Sequence, residues 1–191
     1  MAAPRPKVQI TFHPDEPIES DQSAPPADAI TTTIAPGARW ILAALALLVL
    51  AFIAGAPAIN GKFLPQDDTH VRDNTALRSW EGLKPIWLSP QRMEGPYPIA
   101  FTAYLLEYKA FGEKPAGYHV VNLILHGLVT LLLWTVLRKL EVPGAWLAAA
   151  LFAVHPVQIA TIAWIAQQKV LLCALFYLSS LLLYFRYCGI N

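Results

Sequence analysis

Two adjacent carboxylates, Asp67 and Asp68, stand just beyond a long apolar run that closes near Ala58. Paired carboxyl groups at a membrane boundary can work as a general base or ligate a hard cation, although acids in a polar loop are in the ordinary case simply solvated. A second set, His119, Asn122 and His126, recurs at i, i+3 and i+7, which places all three on one face of a helix. Two histidines at that spacing are ~10 Å apart along a helix axis, too far to hold one ion. The expectation is therefore interhelical hydrogen bonding and no metal. A third element is His155-Pro156, inside another apolar stretch. Proline removes a backbone donor and bends a helix, and the neighbouring histidine is expected to satisfy a freed carbonyl, so that His155 joins the intramembrane polar packing.

Such groups are expensive in an apolar span and need elements that shield them. Hydrophobic residues make up 55% of the chain and charged residues 14%, with a mean hydropathy of +0.43. That balance points to a chain that uses lipid as solvent. Four spans are expected, at about 40–58, 118–137, 144–165 and 170–187, each near the ~20 residues that a ~30 Å hydrocarbon core requires. The fold class is all-α integral membrane, with an outer loop over 59–117. Within that loop, residues 97–111 form a semi-amphipathic segment expected to lie on the membrane surface or to embed partly against the bundle.

Residues 1–38 hold seven prolines and five acids with little apolar periodicity, and read as a cytoplasmic tail rather than a signal peptide. Within it, Val8–Phe12 alternates like a short strand and could order on a partner. Arg39, Arg138, Lys139 and Arg186 fall on one side if the spans alternate in direction, and the positive-inside rule makes that side cytoplasmic. Both termini are then cytoplasmic and the loop periplasmic or lumenal, with a bacterial inner membrane as the expected location. Lys169 alone sits at the outer end of a span, where it can snorkel. The net charge is +1 and no basic run occurs, which argues against a nucleic-acid partner. Cys173 and Cys188 lie on one helix too far apart for a disulfide and read as small packing residues. No Walker loop, G-x-G-x-x-G, heptad seam or short repeat is present.

The order of the pieces resembles the amino-terminal region of the membrane glycosyltransferases that carry tetratricopeptide repeats, the protein O-mannosyltransferase-like group of the C-type superfamily. The residues that carry the likeness are Phe63 through Asp68, Gly95-Pro96-Tyr97-Pro98, Glu107-Tyr108, Pro115 through His126, and Leu151 through Gln158. The resemblance implies a polyprenyl-phosphate sugar donor and gives Asp67 or Asp68 the role of base toward an acceptor hydroxyl. The chain departs from the family pattern downstream. An acid expected four residues beyond Pro156 is replaced by Ala160, and a charged cluster is reduced to Gln167-Gln168-Lys169-Val170. A phosphate leaving group is stabilised by cations and donors held near it, and much of that charge is missing here.

The family also builds its donor cavity from more spans, and no tetratricopeptide repeat lies in these residues. The chain is thus expected to be a fragment, or a protein that kept the first part of the fold for another use. The leading expectation is a non-catalytic accessory or structural subunit, with membrane lipids and other membrane subunits as its partners. The alternative is the amino-terminal part of a glycosyltransferase that is active once completed by further spans. A transporter finds little support, because neither an inverted repeat nor a charged pore lining is visible.

Overall fold

The computed structural model describes residues 36–89, 93 and 95–189, all within the second of the two units into which the chain divides, Ala35–Asn191. The tail expected over 1–38, including Val8–Phe12, lies outside the described residues except for its last three, which open the first helix. This helix, α1 (Pro36–Gly55), starts at a proline whose missing N–H costs nothing in a first turn, and runs on as a 3-10 turn over Ala56–Asn60 that contains Pro57.

After a single helical turn at Pro65–Asp67 and a π turn at Asp68–Arg72, the loop expected over 59–117 carries two further helices, α2 (Leu83–Leu88) and α3 (Pro98–Phe111). The long α4 (Pro115–Lys139) follows. Next come α5 (Ala145–Val154), α6 (Pro156–Ala163) and α7 (Gln168–Tyr187). Among the described residues no strand occurs.

Three stretches are long and apolar enough to cross a membrane: Gly37–Asn60, Pro115–Lys139 and Ile165–Tyr187. A fourth is counted if α5 and α6, bent by 48° at His155, act as one span. The bend has a sequence cause, since Pro156 cannot donate to the carbonyl four residues back and holds the preceding residue in extended backbone. Helix α3 is only ~21 Å long at 1.5 Å per residue, too short to cross, and belongs to the segment between the first two apolar stretches. It ends at Gly112, whose φ of 61° suits glycine in particular.

Helix α4 is the hub, with α1, α5 and α7 packed around it. Two apolar cores result. At the loop end, Val71, Leu77, Ile86, Phe101, Tyr104 and Tyr118 close around Ile165. At the other end, Leu47 and Trp134 pack on Ala145, Ala149 and Ala150 of α5, whose small side chains let helices approach closely. The Arg138 guanidinium lies 3.7 Å from the ring centroid of Trp40 and 5.0 Å from that of Trp134, so the start of α1 and the end of α4 meet around one cation. Both cysteines, expected as small packing residues, are exposed: Cys173 on α7 and Cys188 just past its end.

Candidate functional site

Leu64-Pro65 begins a helical turn, and Asp67 is its third residue, a position from which a carboxylate can reach back to the amide before the turn. It does so: Oδ2 accepts the N–H of Leu64 at 2.9 Å. The other oxygen, Oδ1, accepts the N–H of Ala166 at 2.7 Å, across 99 residues of sequence. Ala166 lies in the 3-10 turn Ile165–Gln167 that leads into α7, where amide groups have no helical partner upstream. Asp67 is fully buried and ties the start of the loop to the start of the last helix. Burial raises its carboxyl above the usual range, while the amides of Leu64, Ala166 and Ile165 and the nearby His119 oppose that rise.

Asp68 occupies different surroundings although it is the next residue. It opens the π turn, its side chain is 35% exposed, and Oδ1 is 3.5 Å from Nη1 of Arg72. Of the two acids, Asp68 is therefore the one that keeps exposed surface. His70, two residues on, stacks on Phe101 with centroids 5.6 Å apart and places Nδ1 3.0 Å from the carbonyl of Gln66.

Above this joint lies a second acid. Glu107 of α3 is buried, and its Oε1 accepts from Nε2 of Gln168, which is buried in the first turn of α7. Tyr104, one turn earlier on α3, donates its hydroxyl to the carbonyl of Ile165 at 3.1 Å. Desolvation pushes Glu107 up to about 7, offset in part by the Gln168 bond, and pushes the Tyr104 phenol upward. The sequence contains no signal for this pairing beyond an acid among apolar residues of α3, and the partner is 61 positions away.

The intramembrane set sits on the other side of the joint. His119, Asn122 and His126 are fully buried on one face of α4. His126 Nε2 is 3.0 Å from the carbonyl of Ala153. In an unbroken helix that carbonyl would accept from the N–H of Val157, but at the Pro156 break this amide turns instead to Nδ1 of His155, at 3.3 Å. Asn122 Nδ2 donates to the carbonyls of Ile162 and Trp164, both at 3.4 Å, and His119 Nδ1 is 3.4 Å from the carbonyl of Ile162. Each of these polar side chains meets a carbonyl that a broken helix left over.

The expectation for His155 needs correction. It is exposed rather than packed in the interior, and it supplies an acceptor to an amide rather than a donor to a carbonyl. The reason is local: the residue before a proline is driven to extended backbone, here φ −65° and ψ 132°, which makes His155 the N-cap of α6. Among the described residues, no three His, Cys, Asp or Glu side chains gather in a group that could hold a metal ion.

Comparison with known proteins gives relatives that include several protein O-mannosyl-transferases. Mouse protein O-mannosyl-transferase TMTC4 is 30% identical over 167 residues, covering 73% of this chain and 22% of that protein. Caenorhabditis elegans protein O-mannosyl-transferase F38B6.6 is 28% identical over 169 residues, covering 81% of this chain and 24% of its own length. Drosophila melanogaster protein O-mannosyl-transferase Tmtc1 is 33% identical over 149 residues, or 72% and 17%. The chain thus spans roughly a fifth of the length of the curated relatives it matches. No family model matches the chain. No solved structure matches it significantly.

Proposed function

From its homology to proteins named protein O-mannosyl-transferase, which gives the chain a glycosyltransferase-like origin, we propose that it serves as a non-catalytic accessory or structural unit of a larger membrane complex. The observation that carries this is the state of Asp67. A base must have an oxygen that an acceptor hydroxyl can reach. Both oxygens of Asp67 are engaged by backbone amides, and the side chain has no exposed surface. Gln167 and Gln168 stand where a phosphate-handling site would want cations, and Gln168 is spent on Glu107.

In this proposal the protein is a bundle of four spans, with α5 and α6 forming one bent crossing. Arg39, Arg138, Lys139 and Arg186 lie at the cytoplasmic side and the loop 59–117 on the opposite side. The relatives named above are animal proteins, which leaves the bacterial inner membrane without support from kinship. Lipid tails or a partner helix would cover the apolar groove of about 540 Å³ between α1 and α4, lined by Leu48, Phe52, Leu123, Ile124 and Leu128.

A second reading rests on Asp68 and on what the relatives' names state. Asp68 is the accessible member of the pair, and as the amino-terminal part of a polyprenyl-phosphate-sugar-dependent glycosyltransferase the chain would use it as the base toward the acceptor.

Two variants separate the readings when the full chain is kept in its native membrane. Asp67→Ala strands the buried amide of Ala166 at ~1–3 kcal/mol and frees the half-buried amide of Leu64, and should lower thermal stability in mild detergent and loosen any copurifying complex. Asp68→Asn should change neither assembly nor sugar transfer. Loss of transfer from a polyprenyl-phosphate sugar in Asp68→Asn, with folding and assembly intact, would overturn the non-catalytic proposal in favour of the second.

A further inference from the structure

The contact between α3 and α7 has an unusual balance of donors and acceptors. Gln168 Nε2 donates to Glu107 Oε1, while Glu107 Oε2 and Gln168 Oε1 are both buried and have no hydrogen-bond partner. With Glu107 as a carboxylate, two acceptor oxygens from neighbouring side chains are left in a dry contact with no donor for either, an arrangement that is costly. One proton on Oε2 removes the deficit, because a carboxylic acid and a primary amide can form two parallel hydrogen bonds, N–H to one carboxyl oxygen and O–H to the amide oxygen.

Among the described residues, the titratable and charged groups around the pair are committed elsewhere. On its own helix Glu107 is approached by the Tyr104 phenol, whose hydroxyl is committed to the Ile165 carbonyl. From α4 it is approached by Tyr118, whose hydroxyl is committed to the Gly112 carbonyl and which also feels Tyr108 and Glu113. From the loop, Asp67 acts on Tyr104 and adds a further negative charge to the neighbourhood. Lys169 follows Gln168 directly, but its ammonium rests over the ring of Tyr97, 4.8 Å from the centroid. Among the described residues no ion pair includes Glu107.

We propose that Glu107 is held as a neutral carboxylic acid whose Oε2–H donates to Oε1 of Gln168, and that this acid–amide pair makes the joint between the outer-loop helix and the last span proton-dependent. The proton comes from water and returns to it, so binding and release change the charge of the joint by one. Deprotonation restores two facing acceptors and loosens α3 from α7, with Asp67 and the Ala166 turn next in line. The elevated Glu107 carboxyl, about 7 against an ordinary 4.5, sets the range. The folded state binds the proton more tightly than the unfolded one, so stability falls as pH rises from about 4.5 to about 7 and is level above that.

The test compares the purified full chain with Glu107→Gln and Gln168→Arg in detergent or nanodiscs. Because the other titrating groups are common to all three, differences between proteins report the pair. The native chain should lose several degrees of Tm between pH 5 and pH 8 relative to Glu107→Gln, which keeps a neutral hydrogen-bonding partner and should match it at pH 5. Gln168→Arg supplies a cation, and should abolish or invert that dependence by holding Glu107 ionised. Infrared difference spectra should show a protonated carboxyl stretch at pH 6 that is missing in Glu107→Gln. Absence of that band, or parallel Tm profiles for the native chain and Glu107→Gln from pH 5 to 8, would overturn the proposal.

Discussion

The polar face of α4 and the loop joint around Asp67 both bury hydrogen-bonding side chains, yet they use opposite chemistry. On α4 the residues are His119, Asn122 and His126, and each brings a ring or amide N–H to a main-chain carbonyl at the broken α5–α6 segment. At the joint the residue is an aspartate, and it accepts from two main-chain amides. The difference follows from which end of a helix is being served. Helices finish with carbonyls that lack donors and start with amides that lack acceptors. The break at Pro156 and the end of α6 leave carbonyls, so donor side chains face them. The turns at Pro65 and Ile165 leave amides, so a carboxylate faces those. Residue type at each site is set by the local surplus of backbone groups before any question of catalysis arises.

The largest effect is expected where the loop side is broken without touching a charge. Gly82 lies against main chain: a Cβ built there would be 1.7 Å from the carbonyl oxygen of Ala76, which a backbone cannot yield without moving. Gly82→Ala should therefore displace the turn beneath Leu77 and Ile86 and cost ~3 kcal/mol or more, toward the upper end of overpacking. Gly127 in α4 is the contrast. Its added Cβ would meet only the flexible end of Leu48, at 3.1 Å, so Gly127→Ala should be tolerated. Limited proteolysis should find the loop opened in the first variant and both the loop and the helix bundle intact in the second. Equal loss in both would erase the contrast between a rigid loop core and an adaptable membrane core.

A smaller effect is expected from the membrane face. Asn122→Leu keeps the branched shape, although its methyls are bulkier than the amide, and removes the donor to Ile162 and Trp164, a hydrogen-bond loss of ~1 kcal/mol by analogy with interhelical bonds in membranes. His119 still reaches the Ile162 carbonyl, so that carbonyl is not stranded. Thermal unfolding in detergent measures the loss, and a drop as large as that of Asp67→Ala would show that the two regions are not built on different margins.

Much of this architecture could be read from residue order. The apolar runs located the three stretches long and apolar enough to cross a membrane to within about five residues, and Pro156 marked the bend that leaves the fourth as two shorter helices. The i, i+3, i+7 spacing put His119, Asn122 and His126 on one face because helix periodicity is a local property. Their acceptors were not legible, since a carbonyl becomes needy only once a neighbouring helix has broken at a particular place. Asp67 and Asp68 looked equivalent as a pair. Their separation into a buried anchor and an accessible acid depends on an amide 99 residues away, which no local pattern encodes. Glu107 and Gln168 were hidden for the same reason.

The smallest expected effect decides what His155 is for. As the N-cap of α6 it offers one acceptor, Nδ1, to the Val157 amide, and its ring is otherwise exposed. Removing an N-cap acceptor costs ~0.5–2 kcal/mol, and asparagine, serine and aspartate are the preferred occupants of the position. His155→Ala should therefore lower stability by ~1 kcal/mol or less, whereas His155→Asn should restore it, since a short side-chain oxygen can accept the same N–H. A histidine needed for interior packing or proton transfer would respond differently, because asparagine matches neither its ring volume nor its acid–base chemistry. Thermal unfolding of the three proteins side by side gives the answer. If asparagine falls with alanine, the capping role fails, and the carbonyls at the break must be served by His155 as well as by His126.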